Sequence, residues 1–220
     1  MKLLRKGKPV PFDNGKDLLP QFKMALETSG MMRGGEDGKI SGGIDKVAIL
    51  YDTEKVNLVP EEFYSGTYAE DNCALNNMRP SEKSVVVASP AVKGIVAVMN
   101  IPADVFSCLQ GIWESRVEFA SPLQAIAVKR EVKSVNIIMG ADAFYLAVYG
   151  YKLLFADAFG YGSAADVAFV VNELDKVYPL KGYTINISGK DAKAVRKTLR
   201  KYYRKVSAVK EMPDAAVLMA

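Results

Sequence analysis

Apolar and polar positions divide the chain into short strand-like runs and a few stretches with apolar residues three and four apart, the spacing of a helix with one buried face. Residues 1–12 read as a short strand or two. Leu18, Leu19, Phe22 and Leu26 then mark a helix over about 16–29, with Asp13 or Asn14 as its cap and Gly30 beyond its end. The five glycines of RGGEDGKISGG, residues 33–43, predict a loop. KVAILYD and KVNLVPEEF follow as two strands around Asp52-Thr53-Glu54, an arrangement that predicts a hairpin. A polar stretch over 65–83 has a weak helical pattern around 68–78. SVVVAS and GIVAVMN are two further strands. IPADVFSCLQGIW opens on a proline with Asp104 in its first turn, and Val105, Phe106, Leu109, Ile112 and Trp113 give it an apolar face. RVEFA is a short strand, and SPLQAIAVKR starts as a helix.

From Lys133 the pattern begins again. SVNIIMG, AFYLAVYG and YKLLFADAF form a three-strand meander, with Gly150 at its second turn. SAADVAFVVNELDKVY is a helix with Ser163 at its cap and Asp166 three positions on, a capping-box spacing. A buried strand, YTINIS, leads to a long basic helix over Lys190–Lys205. A last strand, VSAVK, and an apolar tail complete the chain. Three strands, helix, strand, helix, strand is the order of a ribonuclease-H-like unit. Residues 1–130 read as a less regular copy of the same unit. The expected fold class is therefore α/β, with two tandem ribonuclease-H-like subdomains at 1–130 and 131–220.

Two such units in tandem make the actin-like ATPase fold of actin, sugar kinases and the bacterial FtsA and PilM proteins. KVAILYDTEKVNLVPEEFY, the meander at 136–160 and YTINISGKDAKAVRKTLRKYYRKV resemble the Bacteroidetes family of domain of unknown function 3822, over nearly the whole chain. Members of that family resemble degenerate actin-like ATPases. They usually begin with one strand more than is found here, so the first subdomain is expected to lack its initial strand and to be open to self-association along that edge.

The resemblance raises the question of a nucleotide. Actin-like ATPases cradle phosphates in an Asp-x-Gly-Thr/Ser turn in each half and hold adenosine at a glycine-rich turn. Glycine lets backbone N–H groups approach phosphate, hydroxyls donate to it, and aspartate balances Mg²⁺. With Gly140 at the glycine position, Ile138 stands where the aspartate belongs, and Ala141, Asp142 and Ala143 supply no hydroxyl. Asp13-Asn14-Gly15 reads as a helix start. Ser188-Gly189-Lys190 offers one glycine where a pair is usual. Gly38-Lys39 is no P-loop, with Arg33 and Ile40 at positions that need Gly and Ser or Thr. A vestigial nucleotide site would consist of Gly140, Asp142, Ser188 and Gly189. The expectation is a non-enzymatic binding or assembly module with an unidentified protein partner and no cofactor; binding of ATP with Mg²⁺ is the alternative.

Composition narrows the chemistry further. The 220-residue chain contains no histidine, which excludes Ser-His-Asp and Cys-His catalysis and histidine-ligated metals. Cys73 and Cys108 belong to no metal-spaced or redox pair and read as small buried residues. Glu61-Glu62 and Glu70-Asp71 read as surface, and Trp113 as a core anchor. Tyr145 and Tyr149 fall on one face of their strand, near Tyr151 and Tyr161.

Charge is concentrated in one segment. Residues 190–205 hold eight of the 29 basic residues and one of the 25 acidic ones, so this segment stands at +7 and the rest of the chain at −3. Ala192, Val195, Leu199, Tyr202 and Val206 are expected to pack as its apolar stripe. Lys193, Arg196, Lys197, Arg200, Lys201 and Arg204 would then form a basic surface that suits nucleic acid, the second alternative, an anionic membrane or an acidic partner. No transmembrane segment is expected, because VVVASPAVKGIVAVMNI is broken by Pro90, Lys93 and Gly94. Residues 1–12 lack the features of a signal peptide, so a cytoplasmic location is expected.

Overall fold

The computed structural model describes residues 47–69, 81–128, 132–141 and 143–209, with Pro20, Met24, Asp71, Cys73 and Met78. The expected strands of 1–12, helix of 16–29, loop of 33–43, much of the 68–78 pattern and the apolar tail lie outside the described residues.

The second half builds one five-stranded sheet. β6 (Ser134–Met139), β7 (Ala143–Tyr149) and β8 (Leu153–Gly160) form the antiparallel meander, while β9 (Thr184–Gly189) pairs parallel with β6 and β10 (Val206–Val209) parallel with β9. The resulting order is β10-β9-β6-β7-β8. β6 and β7 are buried along their whole length, as continuous apolar runs require when both faces of a sheet are covered. Strand alternation sorts their side chains: Val135, Ile137, Met139, Phe144, Leu146 and Val148 pack under two helices on one face. These helices are α3 (Ala164–Val177) and α4 (Ala192–Leu199). Asp166 Oδ2 accepts from Ser163 N at 2.8 Å and Gly162 N at 2.9 Å, so the entry to α3 is capped as its sequence predicts.

The first half divides its strands between two sheets. β1 (Val47–Leu50) runs parallel with β5 (Val117–Ala120), while β2 (Val56–Pro60) and β3 (Ser84–Ala88) flank β4 (Ile95–Pro102) antiparallel. The expected hairpin of β1 and β2 is therefore not formed. The Asp52-Thr53-Glu54 corner passes the chain from one sheet to the other, so each strand finds its partner later in the sequence. Among the described residues β1 has a strand neighbour on one side only.

Helices α1 (Ala103–Trp113) and α2 (Pro122–Ala127) bring the halves together. Ser121 caps α2, its hydroxyl accepting from Leu123 N at 3.1 Å. Leu109, Trp113, Leu123 and Ile126 from these helices share a core with Met99 and Ile101 of β4 and with Ile138, Tyr145 and Ala147 on the second face of the five-stranded sheet. Trp113 is the core anchor that the sequence predicts, and Cys73 is buried. No helix among the described residues is long and apolar enough to cross a membrane.

The basic helix is shorter than its sequence pattern. α4 ends at Leu199, because the chain must reverse to lay β10 beside β9. Tyr203 turns inward and donates to Asn172 Oδ1 at 3.0 Å, leaving Tyr202, expected in the apolar stripe, 60% exposed. Val206, also expected in that stripe, belongs to β10.

Candidate functional site

Three chain segments converge where β1, β6 and β9 end, the position at which open α/β sheets bind ligands. Parallel pairing of β6 with β9 sets Met139 opposite Gly189 and Ile138 opposite Ser188, which brings the predicted phosphate and adenosine turns side by side. Lys190 N donates to Met139 O at 3.1 Å, and its Nζ donates to Ala141 O at 3.3 Å. Gly189 has φ +93°, and a Cβ there would run into the Met139 carbonyl. Packing on β6 by itself thus requires this glycine. The Ser188 hydroxyl turns back toward Ile137 O, at 3.4 Å. Asp142 lies outside the described residues.

Gly140 N donates to Ala143 O at 2.8 Å and closes the turn between β6 and β7, while Tyr161 OH donates to Gly140 O at 3.3 Å. The sequence reading missed what sits on this turn. Asp52, from the corner after β1, accepts from Ala141 N at 2.7 Å through Oδ2 and from Tyr145 OH at 2.6 Å through Oδ1. The same hydroxyl reaches Thr53 O at 3.1 Å. A Cβ on Gly140 would collide with the Asp52 carboxylate, so glycine makes room here for an internal anion. Glu54 lies against Gly160 at the end of β8. The corner itself is tightened by Lys55 N, which donates to Thr53 Oγ1 at 3.1 Å, and by Val56 N, which donates to Glu54 O at 3.0 Å.

Electrostatics follow this geometry. Burial, together with the neighbouring Asp52 charge and its hydrogen bond, drives the Tyr145 hydroxyl far above its ordinary range. Tyr51 is pushed up to about 12 by burial, then by Asp52 and Asp104. Both phenols are therefore neutral across the physiological range, and that of Tyr145 is a hydrogen-bond donor. Asp52 remains open to solvent on its outer side, so the clasp lies at the mouth of the site.

ATP fits this arrangement poorly. Its phosphate would have to displace Asp52 from the Ala141 N–H, and Ile138 offers no carboxylate to a magnesium ion. Two clefts of about 310 and 320 Å³ lie elsewhere, one between β3, α1 and β5 and the other beside Tyr149 and Lys93. Tyr149 shares the inner face with Tyr145 and donates to Ala127 O in α2. Tyr151 stands 87% exposed at the β7–β8 turn.

A Bacteroides thetaiotaomicron protein with an actin-like ATPase fold and unknown function superposes with a TM-score of 0.76 and 16% identity, over 95% of this chain and 84% of its own. The fold is that of the actin-like ATPases. An AlfA filament bound to AMPPNP gives 0.44 at 11% identity over 91% of this chain, and the cytoplasmic domain of EpsL from Vibrio cholerae gives 0.40 at 11% identity over 77%; each is covered to 65% of its length. No protein-family model matches the sequence. No curated protein does either. The clasp thus ties the corner after β1 to the turn between β6 and β7, across a long separation in the sequence.

Proposed function

We propose that this chain is a non-catalytic binding or assembly module, a cytoplasmic pseudo-ATPase of the Bacteroidetes domain of unknown function 3822 family, divided into halves near residues 130 and 131. The carrying observation is the Asp52 clasp: a carboxylate of the first half holds the amide of the turn that would otherwise face phosphate. Nucleotide binding links two halves by bridging them, and here a side chain supports that link permanently. The module takes no cofactor, and its surfaces are left to a protein partner or a second copy of itself.

Calorimetric titration with ATP and ADP, each with and without Mg²⁺, tests this reading. No heat is expected at nucleotide concentrations on the order of millimolar, the weak end of specific affinity. Magnesium-dependent binding on the order of micromolar would overturn it and restore the ATP-binding alternative.

A further inference from the structure

The early end of α4 changes what the basic segment can do. Ala192, Val195 and Leu199 of the helix are buried against the sheet, and Ala194 is its one exposed apolar residue. Arg196 is occupied, its Nε donating to Val206 O at 3.3 Å. Lys193, Lys197, Arg200, Lys201, Arg204 and Lys205 are all exposed, and none of them pairs with a carboxylate among the described residues. Tyr202 stands in their midst, 60% exposed, because Tyr203 takes the inward position.

We propose that this ridge binds single-stranded nucleic acid, with the cations on backbone phosphates and the Tyr202 ring stacked on a base. The proposal is independent of the clasp. Lys193 and Lys197 stand four residues apart on α4, a step of about 6 Å along its axis, and Arg200, Lys201 and Arg204 carry the line of cations past its end, so together they can follow a backbone. An exposed ring among cations is the arrangement that stacks an unpaired base, and the bases of a duplex are already stacked on one another. A membrane surface would call for exposed aliphatic side chains beside the cations. The large ones of α4, Val195 and Leu199, are buried, and it exposes only the methyl group of Ala194. An acidic protein would use the charges and leave the ring without a role.

Fluorescence anisotropy of the full chain with a labelled oligothymidine of about 12 nucleotides tests this, with a duplex, polyglutamate and phosphatidylserine vesicles in parallel. The oligothymidine is expected to bind most tightly and to weaken with salt. Lys197→Glu, Arg200→Glu and Lys201→Glu together should nearly abolish binding; their replacement by Gln should lower the slope of log affinity against log salt by about 2. Tyr202→Ala should weaken binding about fivefold or more, while Tyr202→Phe retains it. All these positions are exposed, and Trp113 fluorescence verifies that each variant is folded. The proposal is overturned if no oligonucleotide binds, if vesicles, duplex or polyglutamate compete equally, or if Tyr202→Ala binds as the parent does.

Discussion

Asp52, Tyr145 and Gly140 form a unit in which each residue explains the other two. The carboxylate needs donors, the phenol needs an acceptor as it enters the core, and the glycine leaves space for their meeting. Gly140→Ala should therefore act through Asp52. We expect it to cost about 1 kcal/mol in the parent, the value of a charge-assisted hydrogen bond discounted for an exposed partner, and much less in an Asp52→Ala background. Urea denaturation of the two single variants and the double variant reads that coupling, and equal costs in both backgrounds would mean that Gly140 does not act through Asp52. The phenols add a pH dependence. Their folded-state pKa values lie above the unfolded value of about 10, so the folded protein holds protons that the unfolded chain releases. Stability is thus fully present below about pH 10 and falls as pH rises toward 12, by about 1.4 kcal/mol per pH unit for each phenol. An alkaline titration should show tyrosinate absorbance appearing together with unfolding, and Tyr145→Phe should shift that transition to higher pH relative to neutral-pH stability.

At the scale of elements, the strand β8 carries a carboxylate where its pattern calls for an apolar residue. Asp157 lies opposite Leu146, on the face packed beneath α3, with Phe155 and Phe159 on either side. Burial raises its pKa, opposed by the hydrogen bond from Ala158 N at 2.8 Å. A raised carboxylate pKa means relative stability that is present below the unfolded value and lost as pH rises through the folded one. Asp157→Asn should therefore stabilise the protein near neutral pH, and the gain should vanish near pH 3; chemical denaturation at the two values checks it. The elements themselves were largely legible in the sequence, because β6, β7, α1, α2 and α3 announce themselves by periodicity and by their caps. Two were not. The Asp52-Thr53-Glu54 composition suits a hairpin turn as well as a corner between sheets, and only the later strands β4 and β5 decide between them. In the basic segment the apolar spacing continues past Leu199 through Tyr202 to Val206, so periodicity extends the helix, whereas the need to place β10 beside β9 ends it. The same limit hid the site: Gly140 and Gly189 could be read as turns, but the side chain facing Gly140 comes from 88 positions earlier in the chain.

At the scale of the whole molecule, the two halves are joined by more than the clasp. Leu123, Leu109 and Trp113 from the first half and Ile138, Tyr145 and Ala147 from the second line one continuous core, all nearly inaccessible to water. Separating the halves would expose this core as well as break the bonds of Asp52. Burial of that kind ties the unfolding of one half to that of the other. Leu123→Ala, which removes a side chain 1% exposed at the join, should cost about 2–5 kcal/mol. The loss should be shared: Trp113 fluorescence, which reports the first half, and hydrogen exchange of β6 and β7 amides, which reports the second, should give the same unfolding free energy in the parent and fall together in the variant. If β6 and β7 retained their protection while the Trp113 transition moved, the halves would be separable units joined by Asp52 alone.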